Sequence, residues 1–65
     1  MNIELNGEPR STAAKCLSEL VDAEGYTNIK IATALNGTFV PASARDKHAL
    51  NEGDKVEIVA PRQGG

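Results

Sequence analysis

Two Asn-Gly dipeptides, Asn6-Gly7 and Asn36-Gly37, each preceded by residues that alternate apolar and polar, constrain this 65-residue chain more than any other feature. Asn-Gly is the strongest short-range hairpin signal, because both residues tolerate the positive φ angles that tight two-residue turns require. Met1, Ile3 and Leu5 alternate with Asn2, Glu4 and Asn6, which predicts an opening strand with one apolar face. Residues from about Glu8 to Thr12 then return antiparallel to it, and Pro9 marks the return as an edge strand. The second signal sits between Ile29, Ile31, Thr33 and Leu35, which alternate again, and Thr38-Phe39-Val40-Pro41. Two hairpins are therefore expected.

Between them, Leu17, Leu20 and Val21 fall at helical spacing while Glu19, Asp22 and Glu24 point elsewhere, and Gly25 is placed to end the helix. The spacing predicts a helix over about 16–24. Its acidic outer side reads as the solvated face of an amphipathic helix. Ser43 is expected to cap a single helical turn through Asp46. Asn51-Glu52-Gly53-Asp54 is turn chemistry leading into Lys55-Val56-Glu57-Ile58-Val59, a closing strand with Val56 and Ile58 facing inward. The expected order is ββαββ, a short helical turn, then β, forming one domain over 1–61 followed by a Gly-Gly tail over 62–65.

Composition narrows the function classes. A chain of this length buries only about 60% of its unfolded surface, which leaves little room for an elaborate active site. The net charge of −2, with one Tyr, one Phe and no Trp, argues against nucleic acid as a partner, since both the electrostatic footprint and the stacking platforms are missing. No apolar run approaches the length of a membrane helix and no leader-like segment opens the sequence, so a cytoplasmic protein is expected. Cys16 is the single cysteine, which excludes an internal disulfide, a cysteine metal cluster and a four-thiolate iron–sulfur centre. Its expected role is structural, buried or at the helix cap. His48 lacks ligand partners at helix or hairpin spacing and is expected at the surface or in a local bond. The body offers no catalytic constellation and no metal site.

The chemistry that does suggest itself lies at Arg62-Gln63-Gly64-Gly65. Glycines lack Cβ and thread narrow channels, and a terminal carboxylate on Gly65 is anionic at neutral pH and can attack a phosphoryl group without a base. Fully extended, the four residues reach about 13 Å beyond the body.

The stretches Met1–Glu8, Leu17–Val21, Ala34–Pro41, Glu52–Ile58 and Gly64-Gly65, in that order and spacing, resemble the ThiS family, the sulfur carriers of thiamin biosynthesis. Two positions depart from the family pattern: Cys16 stands where Thr or Ser is usual before the helix, and Ala42 stands where a basic residue is usual. The resemblance implies an α+β, ubiquitin-like β-grasp fold, with a mixed five-stranded or four-stranded sheet, one crossover helix, a short helical turn and the last strand beside the first. It further implies a carrier that is not an enzyme and binds no cofactor. A ThiF-like adenylyltransferase, using ATP and magnesium, adenylates Gly65; sulfur derived from cysteine through a cysteine desulfurase then gives a thiocarboxylate, which thiazole synthase, the ThiG-like partner, consumes. In that scheme Arg62, Gln63 and Gly64 enter the partner's channel. The family also suggests an apolar docking patch on the exposed face of the sheet. Val59, opposite in phase to Val56 and Ile58, is its first candidate and Phe39 a second, although core packing is the favoured reading of Phe39. The small subunit of molybdopterin synthase, another sulfur carrier, and a non-reacting β-grasp interaction module remain the alternative readings.

Overall fold

A computed structural model describes residues 1–61. Five strands and one helix are arranged as β1 (Asn2–Leu5), β2 (Glu8–Ser11), α1 (Leu17–Ala23), β3 (Ala32–Leu35), β4 (Thr38–Val40), a 3-10 segment (Ala42–Lys47) and β5 (Lys55–Val59). The sheet order is β2-β1-β5-β3-β4, with β1 and β5 parallel and the other pairs antiparallel. The mixed five-stranded sheet with one crossover helix is the arrangement expected, and β2, carrying Pro9, is an edge strand. Both Asn-Gly pairs take left-handed angles, φ 51° and 83° at Asn6-Gly7 and 51° and 84° at Asn36-Gly37. These match the hairpin turn whose twist suits a right-twisted sheet.

One face of the sheet is dry. Ile3 and Leu5 of β1, Val56 and Ile58 of β5 and Val40 of β4 form a single buried cluster with Leu17, Leu20 and Val21 of α1 and with Ala14 and Leu50. The helix supplies its apolar stripe at positions i, i+3 and i+4 and lies across that face. Its C-terminus closes in a Schellman arrangement: Gly25, at φ 89°, donates to the Asp22 carbonyl and Tyr26 N–H donates to the Val21 carbonyl. Its N-terminus is less orthodox. Cys16 occupies the cap without a side-chain bond, and the Leu17 N–H is satisfied by the His48 carbonyl at 3.0 Å. Leu50 N–H in turn donates to the Lys15 carbonyl, so a long-range bridge replaces the missing hydroxyl cap. Cys16 thus has the cap position expected of it; His48 is half-buried, and what it contributes is a long-range backbone carbonyl in place of the surface or local role expected.

Two expectations need correction. The alternation from Ile29 does not make a strand before Ala32: Asn28 adopts φ 64° and Ile29 N–H turns back to the Tyr26 carbonyl, leaving Ile29 exposed. The chain is still leaving the helix there. Nor does Ser43 cap the short helical turn. Pro41, with extended backbone, holds the cap position and accepts the Ala44 N–H, so the segment starts at Ala42, runs on to Lys47 and contains Ser43.

Strand β5 is fastened by two side chains as well as by its neighbours' backbones. Where β1 turns away at Asn6, the carboxamide continues the ladder: Oδ1 accepts the Ile58 N–H at 2.8 Å and Nδ2 donates to the Ile58 carbonyl at 3.2 Å. On the other side, where β3 turns away, Asn36 Oδ1 accepts the Lys55 N–H at 2.9 Å. Asn6→Gly keeps the left-handed turn at no steric cost and removes only the carboxamide. It is expected to lower the unfolding free energy by about 2 kcal/mol in urea titrations, the worth of two hydrogen bonds; an unchanged midpoint would mean that the backbone ladder alone secures β5.

Candidate functional site

The exposed face of the sheet is decided by period two. On β5, Val56 and Ile58 are buried and Lys55, Glu57 and Val59 point away from the core. The register carries that division across the sheet: Val59 pairs with Ala32, Glu57 with Ala34, and Ala34 with Phe39. Residues paired across strands share a face. The outer face therefore carries Val59 and Ala32 in one row, at the end of β5 that leads on to Pro61, and Glu57, Ala34 and Phe39 in the next.

Val59 is 61% and Phe39 66% exposed. For Val59 this is the position expected. For Phe39 it overturns the favoured reading of core packing, and the cause is register. A two-residue loop at Asn36-Gly37 makes Leu35 and Thr38 partners, so Val40 must pair with Thr33 and face inward, which turns Phe39 outward. The length of the loop was the signal that could have settled this in advance. Phe39, two-thirds exposed on β4, and Val59, exposed on β5 with β3 between them, are two large apolar side chains left in water on one face, a feature that marks contact with another molecule.

Below the patch, Thr33 is the one buried polar side chain among the described residues. Its hydroxyl donates to the Val40 carbonyl at 2.8 Å and accepts from Arg45 Nε at 3.0 Å, while Arg45 Nη2 donates to the Ile31 carbonyl at 2.9 Å. This network ties β3, β4 and the 3-10 segment together directly under the strands that present Ala32, Ala34 and Phe39. Sequence reading missed it, because Thr33 and Arg45 lie on separate elements and no local pattern joins them.

Along the same outer face, Glu4, Gly7, Asn36, Gly37, Lys55, Val56 and Glu57 line a groove of about 390 Å³ between the two hairpin turns. Its charges alternate in sign and it converges no set of catalytic groups. Among the described residues no group of three or more His, Cys, Asp or Glu side chains could hold a metal ion, and no helix is long and apolar enough to cross a membrane. Arg62, Gln63, Gly64 and Gly65, the expected reacting tail, lie outside the described residues.

The ThiS family model matches residues 3–65. The chain belongs to the ThiS family. A relative from Thermus thermophilus, a sulfur carrier protein ThiS, is 40% identical over 62 residues, covering 94% of this chain and 95% of its own length. A thiazole synthase from Paramagnetospirillum magneticum is 39% identical over 66 residues; it matches the whole of this chain, which spans only 20% of that protein. Among solved structures, the crystal structure of the thiamine biosynthesis protein ThiS from Geobacter metallireducens superposes with a TM-score of 0.81 at 29% identity, covering both chains in full. The solution structure of a thiamine biosynthesis protein from the same organism gives 0.82 at 28% identity, covering all of this chain and 88% of that one. The β-grasp arrangement inferred for this chain is thus the fold of solved ThiS proteins.

The two faces of β5 make opposite predictions for stability. Ile58→Ala is expected to cost about 3 kcal/mol by opening a cavity between sheet and helix. Val59→Ser, one residue on, is expected to stay within about 1 kcal/mol, because its side chain is already in water. Urea titration of the two variants checks the assignment of faces.

Proposed function

We propose that this chain is the sulfur carrier of thiazole formation in thiamin biosynthesis, and that Gly65 is the residue that carries the sulfur. The observation that bears most weight is the family match running through Gly64 and Gly65. The carboxylate of Gly65 attacks the α-phosphate of ATP and pyrophosphate leaves, forming an acyl adenylate. Magnesium and ATP belong to the adenylating partner, a ThiF-like enzyme, and the carrier binds no cofactor of its own. Joining AMP to the carboxylate turns a poor electrophile into one with a good leaving group. The terminal sulfur of a desulfurase persulfide, derived from cysteine, displaces AMP to give an acyl disulfide; a thiol such as excess cysteine then cleaves the S–S bond, itself becoming a disulfide, and leaves a thiocarboxylate whose sulfur thiazole synthase consumes. The carrier supplies no catalytic group. Gly64 gives clearance in the partner's channel, and Arg62 and Gln63 line the approach.

The outer face is the docking surface in this reading. Phe39 and Val59 are exposed on that face, and in this reading both contribute apolar area to the contact. That a thiazole synthase carries a segment similar to this whole chain supports thiazole synthase as the acceptor.

The test is intact mass after incubation with ATP, magnesium, a ThiF-type enzyme, a cysteine desulfurase and cysteine. An adenylate followed by exchange of oxygen for sulfur, both mapped to Gly65, is the expected result, and removal of Gly65 abolishes both without altering the fold. An unchanged mass with these partners, but modification by a molybdopterin-type activator, would assign the carrier to the other pathway. Phe39→Asp and Val59→Asp are expected to raise the KM for the carrier at least tenfold, since a charge in a desolvated contact costs more than 1.4 kcal/mol; an unchanged KM would remove this face from the docking surface.

A further inference from the structure

Asn-Gly sequences form hairpin turns, but they are also the least crowded setting for an intrachain reaction of asparagine. The backbone nitrogen of the glycine can attack the side-chain carbonyl carbon, because no Cβ stands in its way. This chain holds two such pairs in nearly identical turns: φ is 51° at both asparagines and 83° and 84° at the glycines. Among the described residues neither the Gly7 nor the Gly37 N–H donates a hydrogen bond. The two sites differ in what the carboxamide touches.

At Asn6 both amide atoms meet the backbone of Ile58, which leaves the nitrogen against a carbonyl oxygen that cannot carry a proton. At Asn36 the surroundings are different. The Lys55 N–H donates to Oδ1 at 2.9 Å, where negative charge develops when the side-chain carbonyl is attacked. Nδ2, the atom that leaves, sits 3.1 Å from the carboxylate Oδ1 of Asp54. That carboxylate is held in place by its other oxygen, which accepts the Asn51 N–H at 2.8 Å. A carboxylate beside a leaving nitrogen relays a proton.

From these contacts we infer that Asn36 is a site of self-catalysed deamidation, with Asp54 as its proton relay and Asn6 as the protected counterpart. The Gly37 nitrogen forms a bond to Asn36 Cγ and gives up its proton, which passes by way of Asp54 to Nδ2. The Cγ–Nδ2 bond breaks and ammonia leaves. Water then opens the resulting imide at either carbonyl, giving aspartate or isoaspartate at position 36. The aspartate product sets a second carboxylate against Asp54 where a hydrogen bond had been, and isoaspartate adds a methylene to the turn. Either product removes a link that holds the start of β5, and the modified chain loses stability.

The test compares the two sites within the same molecules. The folded protein is incubated at mildly alkaline pH and digested, and aspartate and isoaspartate at positions 6 and 36 are quantified by mass spectrometry, with a parallel sample kept in urea. The folded protein is expected to deamidate at Asn36 on the order of tenfold faster than at Asn6, less than a positioned acid or base contributes in an enzyme site. In urea the ratio is expected to fall towards one, and in folded Asp54→Asn, whose side chain can still accept the Asn51 N–H, it is expected to fall likewise. Equal rates at the two sites of the folded wild type overturn the inference, as does a preference for Asn36 that persists unchanged in urea or in Asp54→Asn.

Discussion

Two carboxamides extend the pairing of β5: that of Asn6 meets its backbone through both amide atoms, as a peptide group would, and that of Asn36 through its oxygen. Strand β5 is central, with β1 on one side and β3 on the other, yet both neighbours turn away at an Asn-Gly pair before β5 is fully matched. An unpaired N–H or C=O in a central strand costs a substantial part of the stability of so small a domain. The same residue that tolerates the left-handed turn also carries a donor and an acceptor of amide type, so the hairpin signal and the completion of the ladder reside in one side chain. Replacing either asparagine by glycine would preserve the turn and the backbone ladder and lose the side-chain bonds that extend it.

With β5 secured, its alternation sorts the molecule into two surfaces. The inner one joins four of the strands, β1, β3, β4 and β5, with the helix and the segment around Leu50 into a single core, while β2 stays exposed; the outer one leaves Phe39 and Val59 in water. Exposing a phenylalanine on the outer face adds nothing to the core on the opposite side of the sheet. The exposure has a use if the sheet meets another protein, as it does in the proposed carrier role, where chemistry belongs to partners and the body provides grip and direction. The Thr33–Arg45 network supports that role by fixing β3 and β4 from beneath, so that the patch is presented by ordered strands.

Helix α1 shows how a weak local signal is compensated at long range. Cys16 is a poor cap, and by local chemistry the helix would fray at its start. The His48 carbonyl takes the first free N–H, and the bridge between Cys16 and Ala49 holds the following segment against the helix. The departure of Cys16 from the family pattern is thereby accounted for by packing.

The amino-acid sequence determined by itself the number and order of the elements, both hairpin turns, the extent of the helix and the inward faces of β1 and β5. These follow from periodicities of two and 3.6 residues and from the backbone preferences of Asn, Gly and Pro, all of which act within a few positions. The tertiary structure decided the rest. Ile29 looked like strand by alternation, but Asn28 and the chain's exit from the helix put it in a turn; Ser43 looked like a cap, but Pro41 had already taken that position. Phe39 looked like core by its size, and only the pairing of Val40 with Thr33 turned it outward. Arg45 gave no local sign that it would bond Thr33. In each case the outcome depended on partners brought together by folding, and a hydrogen bond or a shared face between distant residues leaves no periodic trace in the order of amino acids.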